Sequence, residues 1–437
     1  MERVVDQQTP TSYNGGMLTR RSIALLLLIS SLAAAQGRRG RASSNTLTVL
    51  KPARVFDGES MHEGWSVLIR GDRIDSAGPS VDSTGATVID LSGLTLMPGL
   101  VEGHSHILLH AYNETSWTDQ VSHESTGVRV ARATNHLRNT LLAGFTTVRD
   151  LGTEGAGYSD VELKQAVNQG IIPGPRILAS TRAIVATGSY QPKGFSLEWH
   201  VPQGAEEADI DSIQRVVRDQ IGHGADWIKL YADYRWGPSP GAHPTFSIEE
   251  MKLAVETAKS AGVPVAVHSS TAEGMRRAIL AGVETIEHGD QGTPEVFKMM
   301  AEHHIALCPT LAAGWFTSTY AGWNGKPPEP AGIERKRASF KAALDAGVTI
   351  LSGSDVGVFT HGENAKEIEL LVDYGMPRIE ALKAATSNAG RVLHMDIGEV
   401  KSGMFADLIA VDGDPATEIS ALRRVKFVMK AGTVYKQ

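Results

Sequence analysis

Residues 99–107 read GLVEGHSHI, and they put His104 and His106 two positions apart at the end of an apolar run that begins at Leu94. On a strand, alternate side chains share a face, so both imidazoles point to one place. Two converging imidazoles suit a divalent cation. Later apolar runs also end in ligand-type residues. DWIKLYAD carries Lys229, VPVAVHSS carries His268, ETIEHGD carries His288 and VTILSGSDVG carries Asp355. Lys229 lies among Trp227, Ile228 and Leu230, where a bare ammonium is costly. As a neutral amine it can add CO₂ to form a carbamate, an anionic oxygen ligand able to bridge two cations. Pairing with Asp226 or Asp233 is the structural alternative. Asp355 can touch a metal and also carry a proton between an attacking water and a leaving amine. The turn-like Ser-Gly-Ser-Asp around it offers a purely structural role instead.

The elements that position these residues alternate. Short β-type runs at 94–107, 145–151, 176–181, 226–232, 264–269, 284–288, 305–310 and 349–354 are interleaved with helical periodicity. The helical pattern covers 206–222, 247–261, 271–281, 294–303, 331–346, 361–374 and 377–387. This alternation predicts a parallel sheet. Closed into a (β/α)₈ barrel, it brings the carboxyl ends of its strands to one mouth. Ser247-Ile-Glu-Glu250 is a capping box, and Gly262 marks that helix's stop. Loops are expected at 108–127, 183–205 and 312–329, all after barrel strands and so over the mouth. Both chain ends are β-rich. The fold class expected is α/β, a TIM-like barrel beside a small β-sandwich built from both ends. The domains read as 1–45 signal and linker, 46–92 first sandwich part, 93–397 barrel and 398–437 second sandwich part.

Taken in order, His104, His106, Lys229, His268, His288 and Asp355, with Met97-Pro-Gly-Leu100 ahead of them, resemble the metal-dependent amidohydrolase superfamily. The resemblance spans nearly all of 46–437. It implies a barrel holding two divalent ions, zinc being the expected metal, bridged by a carboxylated Lys229 and a hydroxide. His104, His106 and Asp355 would hold the buried ion, and His268 and His288 the outer one. Catalytic roles then fall to Asp355, Lys229 and Tyr231. Deaminases of the superfamily place a Glu three residues after the fifth-strand His; here that position is Thr271, which favours amide hydrolysis. The segment 184–194 and Lys229-Leu-Tyr231 are similar to a branch of Xaa-Pro and Xaa-Arg/Lys dipeptidases and N-acyl amino acid carboxypeptidases. Ochratoxin-hydrolysing amidohydrolases belong to the same neighbourhood. The expected substrate is a small amide or peptide cut before its C-terminal amino acid. The alternatives are cyclic amide hydrolysis and deamination on the same scaffold, or a barrel kept as a binding protein.

Substrate residues are read as Tyr231, Tyr190 and His361. Tyr231 is a candidate donor to a substrate carbonyl or carboxylate, with a packed strand aromatic as the competing reading. His361 reads as a substrate group or as a group supporting the ligands from behind, with a helix-start residue in His-Gly-Glu-Asn as the competing reading. Many relatives carry a His after Gly-Gly on the third strand where this chain reads Gly188-Ser-Tyr190, so that residue's role is not carried over. Arg182, Lys193 and Arg235 are the candidate partners of a substrate carboxylate.

A chain of 437 residues with 42% hydrophobic and 21% charged residues can bury a large core. Its net charge of −7 makes no electrostatic case for nucleic acid. The one cysteine, Cys308, excludes an intrachain disulfide and reads as a buried thiol. Arg20-Arg21, the apolar run 23–32 and Ala33-Ala-Ala-Gln36 read as a twin-arginine export signal, with Met17 as a candidate start. The expectation is a periplasmic or secreted enzyme with no stable membrane insertion after signal removal; a homo-oligomer is compatible with the sequence.

Overall fold

Parallel strands covered on both faces need apolar side chains on both faces, and the Val-, Ile- and Leu-rich runs supply them. The computed structural model describes residues 46–437 except 197 and 239. Its barrel strands are Leu100–Ser105, Phe145–Asp150, Arg176–Ala179, Ile228–Tyr231, Val265–Thr271, Thr285–Gln291 and Ala306–Cys308. The first three pair in parallel, as do the last four. Asp226 and Trp227 bridge the two groups by donating their N–H to the Ala179 carbonyl.

The eighth run bonds like a strand on both sides without forming a regular one. Leu351 N–H donates to Leu307 O, and Leu307 N–H to Thr349 O. On the other flank Gly103 N–H donates to Ser352 O and Asp355 N–H to His104 O. The barrel therefore closes through Asp355 onto the strand that carries His104. Gly353 makes this approach possible: a Cβ there would collide with Cys308 Sγ and the His104 amide.

The run 94–107, read as one barrel strand, is two elements. Thr87–Pro98 belongs to the second sheet, pairing with Leu408–Asp412 from Leu94↔Asp412 to Pro98↔Leu408. Barrel pairing starts at Leu100. Both parts are buried, so hydrophobicity runs on unbroken while the chain changes sheets at Gly99, where a Cβ would overlap the Thr146 side chain. The second sheet has eight strands drawn from both chain ends. Leu47–Phe56 runs parallel to Thr87–Pro98, and the carboxyl-terminal strands Leu408–Asp412, Val425–Lys430 and Thr433–Lys436 follow on. Its own core, including Leu50, Val67, Ile74, Leu96, Leu408 and Phe427, makes the β-sandwich beside the barrel.

Helix ends follow local chemistry. Ser247 and Glu250 form both bonds of a capping box. Thr271 caps Ala272–Ala281, which stops at Gly282 in the left-handed region. Two of the expected loops contain helices, Trp117–His123 and Leu311–Tyr320. The second has almost no polar side to produce a helical period, so its apolar residues read as loop. The 206–222 pattern divides: Glu206–Glu207 pairs with Ile184–Val185, and the helix is Ile213–Gly222. Helices Thr126–Leu142 and Ser159–Asn168 fill the spaces after the first two strands. The export signal and linker read at 1–45 lie outside the described residues. Among the described residues, no helix is long and apolar enough to cross a membrane.

Candidate active site

Four imidazoles and one carboxylate meet at the carboxyl ends of the strands. Ring centroids lie 5.3 Å apart for His104 and His106, 5.0 Å for His104 and His288, and 4.4 Å for His268 and His288. Asp355 Oδ1 stands 3.6 Å from His104 Nε2 and 3.3 Å from His106 Nε2. The opposite ring nitrogens are occupied. His104 Nδ1 donates to Glu287 Oε2 at 2.9 Å, and His106 Nδ1 to the Gly152 carbonyl at 2.9 Å. With Nδ1 protonated and the ring neutral, His104 keeps its Nε2 lone pair toward Asp355. His288 Nδ1 lies 2.7 Å from Thr310 Oγ1. His104, His106 and Asp355 together have ligand atoms close enough to hold one metal ion.

The backbone is strained where it presents these groups: His288, Thr310 and Asp355 have φ of 73°, 51° and 61°. Asp355 is held by a buried brace. Ser354 N–H, Ser354 Oγ and Asn364 Nδ2 all donate to the Glu102 carboxylate, which also accepts from His104 N–H. One carboxylate thereby fixes the first and eighth runs against each other.

Burial sets the charges. It pushes His104 and His268 down to about 4, the nearby Lys229 charge adding to both, and it pushes His288 well below its ordinary range. These rings are neutral at pH 7, the form that binds metal. His106 goes the other way, up to about 9. Burial would lower it, but its hydrogen bond to Asp355 and the charges of Glu154 and Asp355 outweigh that. Burial would raise Asp355, yet His104, His106 and Lys229 hold its carboxyl below the usual range.

Lys229 is fully buried, and among the described residues its Nζ has no hydrogen-bond partner. Burial brings it down to about 8, partly opposed by the Glu287 and Asp355 charges. Its charge reaches His104, His268, His288 and Asp355, so it sits in their midst. The pairing alternatives do not occur. Asp226 accepts from Lys164 at 2.6 Å, and Asp233 accepts from Ser269, Ser270 and Thr271. An orphaned, easily neutralised amine near three imidazoles and a carboxylate fits the bridging ligand of a two-metal set. Cys308 is buried and its thiol pushed well above the ordinary value by burial, as a structural thiol would be.

Tyr231 stacks on His268 with centroids 4.5 Å apart, and Tyr190 lies 5.0 Å from Tyr231. His361 lies behind the segment that carries His106, against its backbone. It stacks on His136 at 4.2 Å, hydrogen-bonds the Leu109 carbonyl and lines a separate cavity of about 250 Å³. Arg182 is engaged with the Tyr158 hydroxyl and Glu206, while Lys193 and Arg235 are exposed.

Sequence reasoning missed three supporting groups. Glu287 links His104 to Arg149, whose guanidinium stacks on Trp227. Glu102 braces the eighth run. Glu154, after the second strand, accepts from Trp117 Nε1 and the Tyr190 hydroxyl. Glu287 adjoins His288 and Glu102 lies two residues before His104, which was the available signal. Their partners lie 138 and 252 residues away, beyond any spacing rule.

Residues 95–435 match the profile of the Amidohydrolase family. The chain belongs to the amidohydrolase family. Ochratoxinase of Aspergillus niger is 29% identical over 376 residues, 78% of this chain and 75% of that protein. A crystal structure of a Xaa-Pro dipeptidase with bound methionine in the active site is 31% identical, with TM-score 0.79, covering 90% of this chain and all of that one. The crystal structure of A. niger ochratoxinase is 26% identical with TM-score 0.77, covering 90% and 96%. This amidohydrolase is thus a TIM-barrel hydrolase of carbon–nitrogen bonds, in the branch that includes these relatives. The family is generally metal-dependent, and His104, His106 and Asp355 are placed to serve it.

Proposed function

We propose that this amidohydrolase uses two divalent ions, zinc in the first instance, to hydrolyse the amide before a C-terminal amino acid. Dipeptides, N-acyl amino acids and ochratoxin-type aryl amides of phenylalanine are the substrates in view. The observation that carries the two-metal reading is Lys229: its Nζ is buried near His104, His268, His288 and Asp355, with no hydrogen-bond partner among the described residues. Carboxylated, it would bridge the ions; His104, His106 and Asp355 would hold one and His268 and His288 the other. Metal ions so held would polarise the scissile carbonyl and acidify water.

The remaining work belongs to the protein's own groups. Asp355 is ionised at neutral pH, so its carboxylate can accept a proton from water and return it to the leaving nitrogen. The Tyr231 hydroxyl, pushed well above its ordinary value by burial and the Glu154 charge, stays protonated and can donate to the substrate carbonyl. Glu287 and the Gly152 carbonyl keep two imidazoles in one tautomer. Similarity to ochratoxinase and to a Xaa-Pro dipeptidase supports the substrate class. A panel of dipeptides, N-acyl amino acids and cyclic amides, assayed with zinc present, tests it. Turnover confined to cyclic amides would overturn the reading.

A further inference from the structure

Glu102 braces the inner ligands through Ser354, Asn364 and the His104 amide. The outer ligands, His268 and His288, are held from a different side. They lie on neighbouring strands whose pairing slips by one residue just beyond them, from Ser269↔His288 to Thr271↔Gln291. Such a bulge turns the backbone out of its ladder and re-aims side chains. His288 takes φ 73° there, a strained conformation for a residue with a side chain. Helix Ala331–Asp345 grips the displaced segment. Lys336 Nζ donates to the His288 carbonyl at 2.6 Å and to Asp290 Oδ1 at 2.5 Å. About one turn on, Ser339 Oγ donates to the Gly289 carbonyl at 2.6 Å and accepts from Gly292 N–H at 3.1 Å.

Asp290 carries the grip across to the other ligand. Its Oδ2 accepts from Ser270 Oγ at 3.0 Å, so the residue two after His288 holds the residue two after His268. Ser270 N–H is itself fixed by the Asp233 carboxylate at 2.9 Å, which also accepts from Ser269 Oγ and Thr271. The contacts thus run from the helix through Lys336, Asp290 and Ser270 to Asp233, and span the strand ends that carry both outer histidines. Lys336 is 8% exposed. An ammonium so placed is costly unless it is paired and hydrogen-bonded, and the His288 carbonyl and Asp290 meet that need. Surface charge on the helix is supplied elsewhere, by Lys341 in an exposed pair with Asp345.

We propose that Lys336, with Asp290 and Ser270, forms a clasp that positions His268 and His288 for the outer ion, as Glu102 does for the inner ligands. It rests on the two-metal reading of this site. Lys336 is a positioning residue: it acts through the His288 carbonyl and through Asp290. Without its ammonium the strained backbone at His288 relaxes and the ring moves with it, while His104, His106 and Asp355 keep their own brace.

Chelator-stripped protein titrated with zinc against a competing chelator gives the two affinities separately. Lys336→Met should weaken one of them by about 10–100-fold, the size of a lost ligand-orienting contact, and leave the other within about threefold. Lys341→Met, on the same helix, should change neither. Ser270→Ala, which keeps the Lys336–Asp290 pair, should weaken the same affinity by a smaller factor, and it decides the matter on the same terms if Lys336→Met does not fold. Equal weakening of both affinities would make Lys336 a general support of the barrel, and unchanged affinities would leave it no role at the site; either result overturns the clasp. Imidazole NMR spectra of the metal-free protein, assigned through single histidine substitutions, give a reading independent of stoichiometry. The His268 and His288 signals should move in Lys336→Met while those of His104 and His106 stay. If the wild type takes up only one ion, the two-metal reading falls and these spectra alone judge the clasp: His268 and His288 signals that do not move would overturn it.

Discussion

Replacing Lys229 with methionine keeps the length of the side chain and removes its charge. The ammonium is completely buried and has no hydrogen-bond partner among the described residues. Burial brings its pKa from 10.5 down to about 8. At about 1.4 kcal/mol per pKa unit, the folded protein carries a penalty of about 3 kcal/mol when that lysine is charged. The folded state binds this proton more weakly than the unfolded state does. Below pH 8 both states are protonated and the penalty is complete; from pH 8 to 10.5 it fades. Lys229→Met should therefore stabilise the metal-free protein by up to about 3 kcal/mol at pH 7, with most of that gain gone by pH 10.5. Urea unfolding of chelator-treated wild type and variant, in CO₂-depleted buffer at pH 7 and at pH 9.5, reads this directly. The same variant should bind less metal, because the anionic bridge cannot form. A variant less stable than wild type at pH 7, or a gain independent of pH, would refute the account of Lys229 as an unpaired buried amine.

Asp355→Asn should keep the fold and lower kcat by about 10²–10⁴, the size of a lost acid–base group; steady-state kinetics alongside metal content would show it, and wild-type turnover would remove Asp355 from the mechanism. Glu287→Gln leaves the Arg149 guanidinium without its anion and weakens the hold on His104 Nδ1. Metal affinity measured by chelator competition should fall about 10–100-fold, and stability by about 3–5 kcal/mol, as for a broken buried pair. Arg20→Lys with Arg21→Lys should retain active enzyme in the cytoplasm, and protein made without residues 1–45 should be active there. Undiminished periplasmic activity of the double-lysine protein would dismiss the twin-arginine route.

The order of the barrel and the strand-end positions of His104, His106, Lys229, His268, His288 and Asp355 were legible in the sequence, because each lies at the end of a short apolar run. The change of sheet at Gly99 was not, since buried strands of two sheets look alike when joined end to end. Helix Leu311–Tyr320 was hidden for a related reason: without a polar face there is no period to read. The groups that orient the ligands were also invisible as partners. Glu287 with Arg149, and Glu102 with Ser354 and Asn364, meet only when the barrel closes. His361, after the eighth run, stacks on His136 and bonds the Leu109 carbonyl, against the backbone of the segment that carries His106.

The two-metal account is tested most directly by measuring metal per chain and amide hydrolysis on the same samples. Purified protein is stripped with chelator, then titrated with zinc in the presence of bicarbonate, with bound metal and turnover of an N-acyl amino acid followed together. The account predicts that activity reaches its plateau at about two equivalents, and that Lys229→Met neither binds the second ion nor reaches that plateau. Full turnover at or below one equivalent, or in the Lys229→Met protein, would contradict it.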